Sequence, residues 1–260
     1  MDLGISGKQA IVCASTRGLG FGCASALQRE GVDVVICGRD PVFLDRACET
    51  LTSHSAGGNV TGVCADVASA EGREKILSAC PTPDILINNA GGPPPGDFRS
   101  WGREEWLQAL DANMLTAIEL IKAVIDPMIG NGFGRIVNIT SHAVKEPTGL
   151  LGLSNGARAG LTGFVAGLAR DVAPNGVTIN NLLPGQFDTD RLRSNHEKFA
   201  EKMGLEVDEM RERARRAIPV QRFGSPEEFG AACAFLCSAH AGFMTGQNVM
   251  LDGGQYKGIL

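Results

Sequence analysis

Tyrosine is nearly missing from this sequence: one residue in 260, Tyr256, close to the end of the chain. Chemistry that needs a phenol as proton donor must either recruit that tail position or manage without it. There is no CxxC pair and no His/Cys cluster at zinc spacing. The eight cysteines, at 13, 23, 37, 48, 64, 80, 233 and 237, therefore read as reduced structural thiols, with no metal site and no disulfide framework. Cys13, Cys37 and Cys64 lie in or beside apolar runs, where a free thiol acts as a small hydrophobe. No apolar stretch is long enough to cross a bilayer, and the start, MDLGISGKQAIVCA, places an acid at position 2, so neither a membrane anchor nor a secretory signal is expected and the chain reads as cytoplasmic. A basic excess is lacking too. Net charge is -5, and the densest charged stretch, EVDEMRERARRA, alternates in sign as a solvated helix does, so nucleic acid is not an expected partner.

What the sequence has in quantity is short apolar runs rich in branched residues: QAIVCA, DVVICG, NVTGVCA, DILINNA, GRIVNIT, VTINNLL and QNVMLDG. They alternate with stretches of helical spacing. That pattern predicts an α/β fold, a doubly wound parallel sheet with helices on both faces, because strands buried on both sides lose the apolar/polar alternation. With no repeat, low-complexity tract or linker, residues 1–260 are expected to form a single domain. Ser225-Pro226-Glu227-Glu228 carries an N-cap, a proline at the first helical position and a capping-box glutamate, and so starts a helix. The stretch at about 189–223 is the longest between core strands. Following LLPGQFDTD at a strand end, it is expected to be a substrate lid at the carboxyl edge of the sheet, where doubly wound folds bind ligands.

The first strand runs into ASTRGLGFG, residues 14–22, and then a helix. Gly18 and Gly20 permit a tight turn whose amides and helix dipole suit a pyrophosphate. This stretch resembles the TGxxxGxG turn of the short-chain dehydrogenase/reductase family. Asp66 after Ala65, NNAG at 88–91, Asn113, IVNITS ending at Ser141, Pro184-Gly185 and the terminal TGQNVMLDGG match that family's motifs in order, over essentially the whole chain. The resemblance implies a Rossmann-type fold and a dinucleotide held by Ser15, Thr16, Arg17, Gly18, Leu19 and Gly20 of the turn. It further implies Asp66 and Val67 at the adenine, Asn89, Ala90 and Gly91 at the ribose and pyrophosphate, and Pro184, Gly185 and Thr189 toward the nicotinamide. Ala14 stands where the family has its first glycine.

Cofactor choice is read at the end of the second strand, VVICGRD. A carboxylate there favours NAD by accepting from the ribose 2′-hydroxyl, whereas arginine favours a 2′-phosphate. Arg39, with Arg17 nearby, points to NADP (NADPH) over NAD, two guanidiniums converging on one phosphate. The alternative is that Asp40 or the helix start occupies both.

In ordinary members of the family a serine holds the carbonyl oxygen, a tyrosine donates the proton, a lysine lowers the tyrosine pKa and grips the ribose, and an asparagine completes the set. By resemblance Ser141 and Asn113 fill two of these places. LSNGARAG puts Ser154 and Arg158 in the tyrosine and lysine positions, one helical turn apart. Serine is a poor acid and too short to reach where a phenol would. Arg158 can still hold ribose hydroxyls, but with a pKa above about 12 it exchanges no proton. Lys145, in the loop after Ser141, is the expected replacement donor, beside water or the substrate itself. Among the histidines, His142 and His196 are weaker candidates, and His54 and His240 read as surface residues. The loop GGPPPGDF after NNAG is expected to stiffen one pocket wall. With KEP at 145–147 and LSNGAR at 153–158, it resembles a divergent branch likened to 3-oxoacyl-acyl-carrier-protein reductases with an imperfect catalytic tetrad.

The expected function is NADP-dependent interconversion of a carbonyl and an alcohol in a small-molecule substrate, a 3-oxoacyl group or other small ketone. Two alternatives stand beside it: a nucleotide-binding regulator or scaffold that turns nothing over, and hydride transfer to an imine, which needs no proton donor. The resemblance also implies a homotetramer or homodimer assembled through helices at Glu104–Ile129 and Ser154–Ala173 and the final strand.

Overall fold

A computed structural model describes residues 2–53 and 57–259, without the side chain of Lys202; His54 lies outside the described residues. Seven parallel strands form one sheet in the order β3-β2-β1-β4-β5-β6-β7. They are β1 (Gln9–Val12), β2 (Asp33–Gly38), β3 (Val60–Cys64), β4 (Ile85–Asn88), β5 (Gly134–Ile139), β6 (Val177–Pro184) and β7 (Asn248–Leu251). Helices α1 (Gly18–Arg29), α2 (Pro41–Ser53), α3 (Ala70–Ala79), α4 (Arg103–Leu110), α5 (Thr116–Gly130), α6 (Gly152–Val172) and α9 (Pro226–Cys237) flank it, and α7 (Asp190–Met203) and α8 (Val207–Arg216) follow β6. Two apolar clusters, one on each face, bury the sheet between them. One includes Leu27, Ile36, Ile87 and Phe229; the other includes Ile11, Leu86, Val124, Ile136 and Val165. The doubly wound α/β fold expected of the alternating pattern is thus present.

Apolar runs predict the inner strands because β4 and β5 are buried along their whole length. They mislead at β3, an edge strand that is largely exposed. Cys64 at its end is exposed, contrary to the expectation that it packs as a small hydrophobe. A second correction concerns the helix expected over Glu104–Ile129. It is interrupted by a π-helical turn at Asp111–Leu115, which separates α4 from α5.

A row of asparagines ties the second half of the sheet. Asn88 Nδ2 donates to Asn138 Oδ1 at 2.9 Å, Asn138 Nδ2 to Asn181 Oδ1 at 3.0 Å, and Asn181 Nδ2 to Asn248 Oδ1 at 2.8 Å. These residues are also register partners in the ladder. The chain of amides pairs polar groups inside an otherwise apolar layer, all but Asn88 Oδ1 at its end, and fixes the relative heights of β4, β5 and β6, the strands whose ends carry the site. The capping box expected at Ser225 forms, with Glu228 N donating to Ser225 Oγ at 3.3 Å and Ser225 N to the Glu228 carboxylate at 2.9 Å. Among the described residues no helix is long and apolar enough to cross a membrane.

Candidate active site

Gly18 and Gly20 open α1 directly beyond β1. A Cβ on Gly20 would stand 2.4 Å from the carbonyl oxygen of Ala14, so only glycine lets the turn close this tightly. Ala14 itself is left-handed, with φ +45°, a conformation costing an L-residue about 1–2 kcal/mol. It is held there by Asn89 Nδ2, which donates to the Ala14 carbonyl at 3.0 Å, and by its own N–H on Cys37 Sγ at 3.3 Å. Ser15 spends its hydroxyl locally, donating to Val12 O and accepting from Cys37 N, so its side chain pins β1 to β2. Thr16 packs on Gly38, Leu19 packs into the core and Thr189 caps α7 beside Gly18.

At the end of β2 the two arginines diverge. Arg39 faces Asp66 at 3.8 Å; Arg17 lies over the Phe43 ring at 4.4 Å and reaches Asp190 at 3.6 Å. Asp40 occupies neither, because it accepts from the amides of Val42 and Phe43 at the start of α2. Both pairs are solvent-exposed ion pairs, worth about 0–1 kcal/mol each. Val67 is buried behind Asp66.

Across the sheet, Asn113 sits on the π-helical turn, 5% exposed, and donates to Gly91 O at 3.3 Å. Its Oδ1 accepts from Arg158 Nη2 at 2.9 Å. Arg158, on α6, also donates from Nη1 to Ile139 O at 2.6 Å and from Nε to Ser154 Oγ at 3.3 Å. One buried cation therefore gathers the ends of α5, β5 and α6. Burial pushes its pKa down to about 10, with the like charge of Arg191 adding to the effect. That lies below the range expected of an arginine, because the guanidinium is desolvated and faces neutral oxygens, yet it remains charged at neutral pH.

Ser141 follows β5 and caps the short turn His142–Val144, accepting from Ala143 N at 3.1 Å. Lys145 ends that turn, and its Nζ stands 5.9 Å from the ring centre of Tyr256, so the sole tyrosine packs beside the expected donor lysine of the same chain. Pro184 ends β6 and Gly185 lies against Asp252. His196 is buried and packs against Phe223 with the rings tilted by 40°; burial lowers its pKa, which keeps it neutral and assigns it to packing. His240 binds the Asp2 carbonyl at the surface. Trp101 and Trp106, from beyond the proline loop, meet edge to face and press against Gly152 and Gly156 of α6.

Three further residues belong to this place: Asn88, which opens the NNAG motif but was given no role of its own, and Thr116 and Arg191, which no motif signalled. Asn88 Oδ1 and Thr116 Oγ1 are buried without a protein partner, and both residues line a cavity of about 20 Å³ with Asn113 and Arg158. That volume suits one water molecule surrounded by polar atoms. Arg191, in the first turn of α7, donates from Nη2 to Pro93 O at 3.2 Å. Only its place just after the FDTD stretch that follows Pro184-Gly185 hinted at it.

Comparison with known proteins gives one consistent answer. The enoyl-(acyl carrier protein) reductase family model matches residues 13–255. Dehydrogenase/reductase SDR family member 4 of Bos taurus is 34% identical over 255 residues, 96% of this chain and 88% of that protein. NADPH-dependent reductase BacG of Bacillus subtilis is 30% identical over 259 residues, covering 98% of this chain and 100% of BacG. The crystal structure of L-sorbose reductase from Gluconobacter frateurii, in complex with NADPH and L-sorbose, superposes with a TM-score of 0.92 at 28% identity over 100% of both chains.

Proposed function

The chain belongs to the short-chain dehydrogenase/reductase family, and from that premise we propose that it is an NADP-dependent oxidoreductase interconverting a carbonyl and an alcohol. Ser154 and Arg158 stand in place of the family's tyrosine and lysine. The observation that carries this reading is the buried Arg158, fixed by Asn113, Ile139 and Ser154 at the ends of β5 and α6. So held, it would offer a cationic fork to the ribose and the reacting carbonyl.

The turn fits a dinucleotide: Gly20 permits the tight approach to Ala14 that starts α1 just after β1, and the first amides of a helix suit a pyrophosphate. Gly18, Leu19 and Gly20 with the backbone of Ser15 and Thr16 hold that group; Asp66 and Val67 hold the adenine, and Arg17 and Arg39 reach a 2′-phosphate by exchanging their exposed ion pairs with Asp190 and Asp66 for it. Asn89, Ala90, Gly91, Pro184, Gly185 and Thr189 take the nicotinamide half. NADPH, when bound, supplies the hydride. Ser141 orients the carbonyl oxygen, and Arg158 stabilises developing negative charge, a contribution that in other enzymes amounts to about two to four kcal/mol per donor. The proton comes from Lys145 or from water in the cavity bounded by Asn88, Asn113 and Thr116. Residues 189–223 close over the substrate as a lid, and two or four copies assemble through α5, α6 and β7.

A second reading is favoured by the place of Tyr256, which lies beside Lys145 while α6 carries Ser154 at the position of the family's tyrosine. With no phenol on that helix, an iminium acceptor, which becomes a neutral amine on receiving hydride, fits as well. A panel of ketones and cyclic imines incubated with NADPH separates the readings. Ketone turnover supports the first, imine turnover alone the second, and tight NADPH binding with no turnover makes the chain a nucleotide-binding regulator.

A further inference from the structure

Arg158 and Arg191 come from different elements and converge on one point. A Cβ built on Gly92 would lie 2.9 Å from Arg191 Nη2 and 3.5 Å from Arg158 Nη2. Both guanidiniums therefore border the space that this glycine leaves open, a few ångströms apart. Among the described residues neither has a carboxylate within ion-pair distance. The nearby acids are turned elsewhere: Asp188 to Arg211 and Asp190 to Arg17.

Two like charges placed this close repel; burial lowers the pKa of Arg158, and partial desolvation lowers that of Arg191, a residue that stays exposed to solvent. The donors are also only partly used. A guanidinium carries five N–H groups. Arg158 gives one from each nitrogen, to Ser154, Ile139 and Asn113, which leaves one on each terminal nitrogen; Arg191 gives one, to Pro93 O. Paired forks with spare donors and no counter-ion match a planar anion that accepts two bonds from each side.

The cofactor's own diphosphate is the obvious competitor, and the direction of α7 argues against it. Thr189 and Asp190, the cap and first residue of the helix, face Gly18 and Arg17 of the phosphate turn, whereas Arg191, the next residue, reaches the other way onto the Gly92–Pro93 loop. Arg191 thus stands over the end of the cleft that holds Asn113 and Arg158.

Resting on the reductase reading above, we propose that the substrate is a keto acid whose carboxylate is clamped between Arg158 and Arg191, with Gly92 kept small to admit it. Arg191 is then a specificity-determining residue: it sets which carbonyl compounds enter and takes no part in hydride or proton movement.

The test uses the full chain loaded with NADP⁺, so that binding is read without turnover. Pyruvate, acetoacetate and levulinate, each against its uncharged amide, are titrated calorimetrically into wild-type protein and into Arg191→Gln and Arg191→Lys. At least one acid should bind about tenfold or more tightly than its amide, as one or two charge-assisted bonds imply. That preference should vanish in Arg191→Gln and return in part in Arg191→Lys, while NADPH affinity stays within about twofold, because no cofactor contact is removed. Equal binding of every acid and its amide overturns the proposal. So does an Arg191→Gln protein that loses NADPH affinity in step with the acids, since Arg191 then serves the cofactor. If NADPH binds but no ketone is reduced, the reductase reading fails on its own, and the acid-over-amide preference is still read from the calorimetry.

Discussion

Arg158 and Ser154, one turn apart on α6, are joined by a hydrogen bond from Nε to Oγ at 3.3 Å, and both residues are 9% exposed. They form a packed unit, so restoring the family's residues there has to displace its neighbours. Ser154→Tyr combined with Arg158→Lys should lower single-turnover hydride transfer on the protein's own substrate by about tenfold or more, since overpacking a closed site costs about 1–3 kcal/mol. NADPH affinity should change little. A large gain in rate would show instead that the site is merely impaired.

Arg39→Asp should weaken NADPH binding by about tenfold or more and leave NADH nearly unaffected, because it replaces a donor to the 2′-phosphate by a repelling carboxylate. Asp66, now facing Arg39 at 3.8 Å, would then sit beside a second acid. Fluorescence titration of the two reduced nucleotides reads the difference; equal affinities in the unmodified protein would remove its basis.

Lys145 and Tyr256 can be separated as proton sources. Lys145→Met should reduce kcat by about a hundredfold, the ordinary size of a general-acid contribution, with NADPH affinity intact. Tyr256→Phe keeps an aromatic face for the ammonium and should leave kcat within about twofold. The opposite ranking would make the tail tyrosine the acid and Lys145 its positioning residue.

Ala14→Gly should stabilise the protein by up to about 1 kcal/mol. Relief of the left-handed alanine at φ +45° outweighs the entropy that glycine adds to the unfolded chain. In thermal unfolding this is a rise of about 2–4 °C. A fall would mean that the methyl group's packing outweighs its strain.

The sequence displays the fold plainly where burial is two-sided: the runs at β1, β4, β5 and β6 are rich in apolar residues on both faces because both faces are covered. It displays β3 poorly, since an edge strand obeys a different rule. The π-helical turn at Asp111–Leu115 left no trace in the spacing, although it carries Asn113, which bonds both Gly91 and Arg158. Ser154 and Arg158 were legible as a substituted pair because local motifs fix their place on α6. Arg191 was not, for its role depends on α7 turning back over Gly92, a tertiary fact that no short window records. The place of Tyr256 beside Lys145 is likewise long-range, joining the tail to a turn more than a hundred residues earlier.

Hydride transfer at the Arg158 site is tested most directly by following deuterium from each of the two 4-deuterated isomers of NADPH under single-turnover conditions, with the cofactor saturating and a keto-acid panel as acceptor. One isomer should place its label on the former carbonyl carbon of the alcohol product. Arg158→Met should slow that transfer by about a hundredfold or more, the scale expected for losing a preorganised charge at the reacting centre. Tight binding of NADPH with no label in any product, or a rate unchanged in Arg158→Met, would contradict it.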